Sequence, residues 1–204
     1  WDYVNKNEYY SRQYRGTGTC LDWLNITFNS KDRIIAAGYS SGIMRVILFD
    51  QDGQKLIKAL KVHNSPISHI RFSGSGDYLA VVSKKGEIFF FKCDTVGVLA
   101  LKPLCIFPLE VEITCTCWNK MSTHLLVGCR DGRVIEIEAP KEEECDTTET
   151  YLKRDLNVKR FTIQMMEFQK PQKDEDDFLL GIEEKREEII VEWDPEAILS
   201  CVYS

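Results

Sequence analysis

Three histidines, eight cysteines and thirty-two acidic side chains are the groups in this 204-residue sequence with chemistry to offer. The cysteines are Cys20, Cys93, Cys105, Cys115, Cys117, Cys129, Cys145 and Cys201. No two form a C-x-x-C pair and none has a histidine at zinc-ligand spacing, so no metal site is expected. They read as buried free thiols serving as small apolar side chains in a reducing, intracellular compartment. Cys115 and Cys117, two residues apart, fall on one side of a strand. His69 and His124 have no Ser, Cys or paired carboxylate in a triad pattern. There is no nucleophile elbow, no phosphate-cradling glycine loop and no H-E-x-x-H motif. Gly16-Thr17-Gly18 and Gly74-Ser75-Gly76 lack a third glycine and a following helix, so neither is a nucleotide fingerprint. The acidic run at residues 174–177 lacks the alternating ligands and central glycine of a calcium loop. Asn25-Ile26-Thr27 spells a glycosylation sequon, but it falls inside a predicted first strand and reads as a chance match. The sequence therefore points to no catalytic residue, no cofactor-binding residue, no metal ligand and no cofactor. It reads as a non-enzyme.

The remaining side chains of interest make contacts. Tyr3, Tyr9, Tyr10 and Tyr14, with Arg12 and Arg15, combine large area with positive charge, the composition of interface hot spots. The alternative is an ordinary outer strand packed by a neighbouring unit. Charge is distributed unevenly: the net charge is −6, but residues 1–100 hold 13 basic and 9 acidic groups while residues 101–204 hold 13 and 23. Such a balance argues against a nucleic-acid binder. Acidic stretches at residues 142–144, 174–177 and 183–192 read as solvated loops or strand edges, or as a docking surface for a basic partner. The most apolar stretch, residues 96–107, is too short to span a membrane and is broken by Lys102 and Pro103. At 44% hydrophobic, 28% charged and 11% aromatic residues, the chain is globular rather than disordered.

The elements that position these residues follow from an internal repeat. Phe28, Ala36, Gly42 and Asp50 match Phe72, Ala80, Gly86 and Asp94, each 44 residues on. A third copy places Trp118, Leu126 and Gly132 a further 46 residues on. A fourth, looser copy begins at residues 161–168, passes a loop at 169–177, resumes at Phe178 and ends at Trp193-Asp194. Within each copy the stretches are β-like. Residues 67–72, 78–82 and 87–91 are short, rich in Ile, Val, Phe and Tyr, and separated by polar turns. Ile135 and Ile137 alternate with Glu136 and Glu138, which turns one face inward and one to water. Ile88, Phe89, Phe90 and Phe91 are apolar on both faces, so that strand's sheet must lie between two others. Asp131-Gly132 predicts a two-residue hairpin turn, and Ser41-Gly42 and Lys85-Gly86 put glycine at the same place. Each copy is thus about four short antiparallel strands.

His63, the run Ile67-x-x-Ile70-x-Phe72-Ser73, then Tyr78-Leu79-Ala80, Gly86, and Phe91 to Asp94 together resemble the WD40 repeat, and Trp193-Asp194 supplies its signature dipeptide. The resemblance covers most of residues 16–194 and implies an all-β fold, a partial β-propeller of about four four-stranded blades. The units are a remnant or outer strand of a preceding blade at 1–15, then blades at 16–62, 63–110, 111–157 and 158–204. Trp1-Asp2 and Cys201-Val202-Tyr203-Ser204 read as pieces of adjoining strands, so an arc of a larger ring is expected. The family's buried network joins a loop His, a Ser or Thr, a turn Asp and a Trp. Here His63 fits, but Lys85 stands at the turn and Phe91 at the Trp position, so no network is expected in that blade. In the third copy Asp131 is kept, while Ile137 replaces Trp.

The resemblance implies a non-catalytic protein–protein interaction scaffold, cytoplasmic and cytoskeletal, whose partners are other proteins in a large assembly. It expects no nucleic acid, membrane or small-molecule substrate. Degenerate, long-looped blades of this type resemble the cilia- and flagella-associated WD-repeat scaffolds. That implies tethering of motor complexes to axonemal microtubules, with a dynein motor or neighbouring axonemal scaffold subunits as partners. On this reading the acidic residues 141–194 stay off the acidic tubulin surface. The alternative is a peptide-recognition module on the propeller's top face, reading a basic or modified peptide through an aromatic or acidic pocket.

Overall fold

The computed structural model describes residues 12–25, 33–95, 99–145, 151–152 and 156–162. Among the described residues twelve strands form three four-stranded antiparallel sheets, each a meander in chain order. The first contains β1 (Gly18–Trp23), β2 (Arg33–Tyr39), β3 (Ile43–Asp50) and β4 (Gly53–Lys61). The second contains β5 (Ile67–Phe72), β6 (Tyr78–Ser83), β7 (Glu87–Asp94) and β8 (Ala100–Pro108). The third contains β9 (Ile113–Trp118), β10 (His124–Cys129), β11 (Arg133–Glu138) and β12 (Val158–Thr162). The first strands β1, β5 and β9 lie side by side, so the sheets stack like blades around an axis. The fold is all-β and a partial propeller, as the repeat implies.

Burial follows the residue pattern. Phe89 and Phe91 join the core between the first and second sheets, with Ile34, Val46, Ile70 and Val81. Ile88 and Phe90 join the core between the second and third, with Leu125, Val127, Ile135 and Ile137. A strand apolar on both faces thus lies in the middle sheet. A fully buried Phe of this kind holds roughly 1.5–3 kcal/mol of transfer free energy.

The tight turns differ in detail from the expectation. Gly42, Gly86 and Gly132 adopt φ of 75°, 80° and 81° and donate their amides to the carbonyls of Tyr39, Ser83 and Cys129 at 2.9, 3.0 and 3.2 Å. Glycine is therefore the fourth residue of each turn, and Arg130 and Asp131, not Asp131 and Gly132, are the central pair of the third. The left-handed glycine after an ordinary turn matches the strand twist with one residue more than a two-residue hairpin. Ser122 holds the same left-handed geometry (φ 59°) in the β9–β10 turn that Gly76 (φ 77°) holds in the β5–β6 turn.

Two further placements differ. Val158–Thr162 pairs antiparallel with β11, so Phe161 lies on the outer strand of the third sheet and does not open a fourth copy. The physical reason is a longer connection after β11, residues 139–157, which against the short 95–99 connection between β7 and β8 delays the fourth strand by about 14 positions. Asn25 is exposed beyond the end of β1, not inside it. Trp1-Asp2, Tyr3, Tyr9 and Tyr10, Ile26-Thr27, the rest of the fourth copy and Cys201 lie outside the described residues.

Candidate interaction site

Polar side chains at the inner strands stitch each sheet to the next. On β1, Asp22 accepts the Phe72 amide of β5 at 2.7 Å, with the Arg71 guanidinium 3.9 Å away. Burial pushes the Asp22 carboxyl up, against the opposing pull of the Phe72 amide and of Arg71. On β5, Arg71 donates to the Thr116 carbonyl of β9, and His69 Nε2 donates to the Thr114 carbonyl at 3.0 Å. Trp118 returns the tie, its indole N–H donating to the Arg71 carbonyl at 3.0 Å. The β5–β6 and β9–β10 turns join where Ser122 Oγ accepts the Ser75 amide at 2.9 Å.

His63, buried after β4, makes a network that the turn residues alone do not announce. Its Nε2 donates to the Val81 carbonyl at 2.9 Å, and Nδ1 lies 3.4 Å from the Glu87 carboxylate. Ser83 donates to the same carboxylate at 3.2 Å and accepts the amides of Lys85 and Glu87. The second sheet thus builds a His–carboxylate–Ser network after all, with Glu87 two residues beyond Lys85 supplying the carboxylate. A glutamate on the strand reaches back as far as a shorter aspartate would from the turn. At the matching positions the first and third sheets have Ile43 and Arg133, so neither can do the same. Burial pushes His63 below its ordinary value, opposed by the Val81 carbonyl and by Glu87. Asp131 is used locally, pairing with Arg133 at 2.6 Å.

Next to this network, β4 of the first sheet and β7 and β8 of the second frame a groove lined by Lys58, Leu60 and Lys61 on one side and Phe89, Phe91 and Pro103 on the other. Phe89 and Phe91 stack at 4.5 Å with planes 13° apart, and His63 meets the edge of Phe89 at 6.3 Å. Tyr151, from the insertion after β11, lies over Phe89 with ring centroids 5.6 Å apart. Its carbonyl accepts the Ile106 amide of β8, and Leu152 forms a parallel bridge to Ile106. Glu142 in the same insertion pairs with Lys102 of β8. Nothing in the residue pattern announced this groove, because its walls come from strands more than 25 residues apart.

The residues singled out by type are placed as follows. Tyr14 stacks under Arg45, which also lies 4.1 Å above Tyr39, and Arg45 donates to the Arg15 carbonyl at 2.9 Å. Arg12 also lies over the Tyr14 ring, 5.5 Å from its centroid. Tyr14 therefore packs on the first sheet rather than standing free for a partner. That sheet also exposes Leu21 and Trp23. Cys93 and Cys129 are buried, and burial pushes their thiols up to about 12 and about 11. Cys115 and Cys117 are half-buried on one side of β9. Several acids of the third sheet are paired, Glu112 with Arg130, Glu138 with Lys141 and Glu136 with Lys159.

Residues 22–197 match the profile of the Pep3/Vps18/deep orange beta-propeller domain. The chain belongs to this family. The match carries the propeller and not the ciliary placement that the WD-repeat resemblance implied. Among solved structures, the Pep3/Vps18-type chain is similar to a chain of a humanized mutant of the Chaetomium thermophilum Polycomb Repressive Complex 2 bound to the inhibitor GSK126. The identity is 12% and the TM-score 0.55, over 71% of this chain and 31% of that one. It is also similar to the beta-propeller domain of Myceliophteria thermophila Cps50 (Swd1), at 16% identity and a TM-score of 0.49, over 59% and 37%. The Pep3/Vps18-type chain thus spans about a third of the length of these chains. No curated protein matches it significantly.

Proposed function

We propose that this chain is part of a non-catalytic protein–protein interaction scaffold whose partners engage the groove between its first two sheets. The observation that supports the reading is that groove: an apolar trough floored by the stacked Phe89 and Phe91 and rimmed by Lys58 and Lys61. Aromatic floors with charged rims are the anatomy of interface hot spots. The groups with chemical potential are spent on structure. His63 and His69 donate to backbone carbonyls, and the Cys93 and Cys129 thiols are raised away from the thiolate. One structure of similar fold is a chain of a Polycomb Repressive Complex 2, which is consistent with propellers working inside assemblies. Neither the family nor these neighbours points to a motor, a cilium or an axoneme, and the reading includes none of them. A basic peptide on this groove is disfavoured by its lysine rim.

Lysine crosslinking of the native assembly, read by mass spectrometry, tests this. Inter-protein crosslinks from Lys58 or Lys61 are expected. Abundant crosslinks within the chain, with none to another protein from any described lysine, would overturn the scaffold reading.

A further inference from the structure

The groove already holds a short piece of the chain itself, and that piece describes the ligand. Tyr151 and Leu152 remain exposed at the surface, with the Tyr151 ring lying against Phe89. Its neighbour Leu152 extends the outer edge of β8 by one parallel bridge at Ile106. The residues preceding Tyr151 are acidic in sequence, with Asp146 and Glu149, and the insertion is anchored on β8 through the Glu142–Lys102 pair. Opposite stand Lys58 and Lys61. The elements of strand addition to a sheet edge are present together: a main-chain bond, an aromatic pocket and a charge-complementary rim.

We propose that the groove between the first and second sheets is a docking site for an acidic extended peptide carrying an aromatic residue followed by an aliphatic one, and that Tyr151-Leu152 is its internal, displaceable occupant. The inference rests on the scaffold reading and names the chemistry of the partner. Two features make displacement feasible. The contacts that seat it include the backbone bond and bridge at Ile106 and the ring contact with Phe89, all on the second sheet, while the segment lies in the connection between two strands of the third. While the segment is seated, the apparent affinity for a trans peptide is reduced by the fraction of molecules with the groove open.

Fluorescence anisotropy with a labelled peptide copying residues 146–152 (Asp-Thr-Thr-Glu-Thr-Tyr-Leu) tests the proposal on the purified protein. Tyr151→Ser should bind this peptide about three- to tenfold more tightly than the unmodified protein, the range expected for loss of one aromatic pair. Lys58→Glu/Lys61→Glu in the Tyr151→Ser background should remove most of that binding, and so should alanine in place of tyrosine in the peptide. Lys102→Ala, which loosens the anchor without touching the groove, should give a smaller gain and covers the case in which Tyr151→Ser does not fold. Equal affinity of the unmodified protein and both single variants, or equal binding of the alanine peptide, overturns the proposal. Concentration-dependent dimers that form in the absence of peptide and are lost in Tyr151→Ser would replace the trans peptide with a second copy of this chain. If crosslinks from Lys58 or Lys61 to a partner persist while the peptide fails to bind, the scaffold reading stands and the acidic aromatic chemistry falls.

Discussion

Replacing Gly86 by alanine tests the geometry that joins one sheet to the next. Gly86 has φ 80°, a conformation that costs an L-residue roughly 1–2 kcal/mol. An added Cβ would lie 1.9 Å from the Val111 carbonyl oxygen and 2.8 Å from its carbon, both backbone atoms. An ordinary carbon–oxygen contact is about 3.3 Å or more, so the β8–β9 connection must move by over an ångström. Overpacking of this severity costs about 1–3 kcal/mol more. The displacement would also disturb the Leu109 amide bond to the Gly86 carbonyl, 2.9 Å long. Gly86→Ala should therefore lose about 2–5 kcal/mol in urea unfolding, a large share of the roughly 5–15 kcal/mol typical of a domain. Gly42→Ala should behave alike, because its Cβ would lie 2.0 Å from the His63 carbonyl oxygen. Gly18→Ala is the control, since nothing lies within 4 Å of its Cβ, and it should be neutral or slightly stabilising. A Gly86→Ala midpoint equal to that of Gly18→Ala would refute the argument.

Three other outcomes are expected. Asp22→Ala leaves the Phe72 amide without its acceptor and should cost about 1–3 kcal/mol, whereas Lys55→Ala, which breaks the surface pairs with Asp50 and Asp52, should leave the thermal midpoint nearly unchanged; equal effects would show that the inter-sheet tie contributes little. Burial pushes His63 and His69 below the ordinary histidine value near 6.5, so the unfolded chain takes up protons that the folded one refuses. The stability these groups contribute is therefore fully present above that value and lost as pH falls below it. Asp22, pushed up by burial, opposes the trend. Urea midpoints should fall between pH 7.5 and 5.5, and less so in His63→Gln; a flat profile would contradict the assignment. Cys93 and Cys129, raised to about 12 and about 11, should resist iodoacetamide at pH 8 in the folded protein and react once it is unfolded. Peptide mapping by mass spectrometry reads the difference, and alkylation of native Cys93 at the unfolded rate would count against its burial.

Strand positions were legible because they depend on local rules. Ile67–Phe72 stands where its apolar, β-prone composition between polar turns put it, and Ile135 and Ile137 face the core while Glu136 and Glu138 stay partly exposed. The four apolar residues of β7 placed their sheet between two others, since both of its faces needed cover. The candidate site was far less legible. The His63 network escapes the repeat pattern because its carboxylate comes from the strand that follows the turn and not from the turn position itself. Tyr14, whose type suits either partner contact or strand packing, is held by Arg45, whose position on β3 no local pattern relates to residue 14.

The sequence by itself determined the repeat, the strand alternation and the glycine at each inner turn, since a period of two and a left-handed backbone need only neighbouring residues. Tertiary structure alone decided which groups meet across sheets. It returned Val158–Thr162 to the third sheet after its insertion, gave His63 its glutamate, and laid Tyr151 over Phe89, 62 positions away in sequence. Such contacts depend on the reach of side chains and the packing of sheets in three dimensions, and a one-dimensional pattern carries neither.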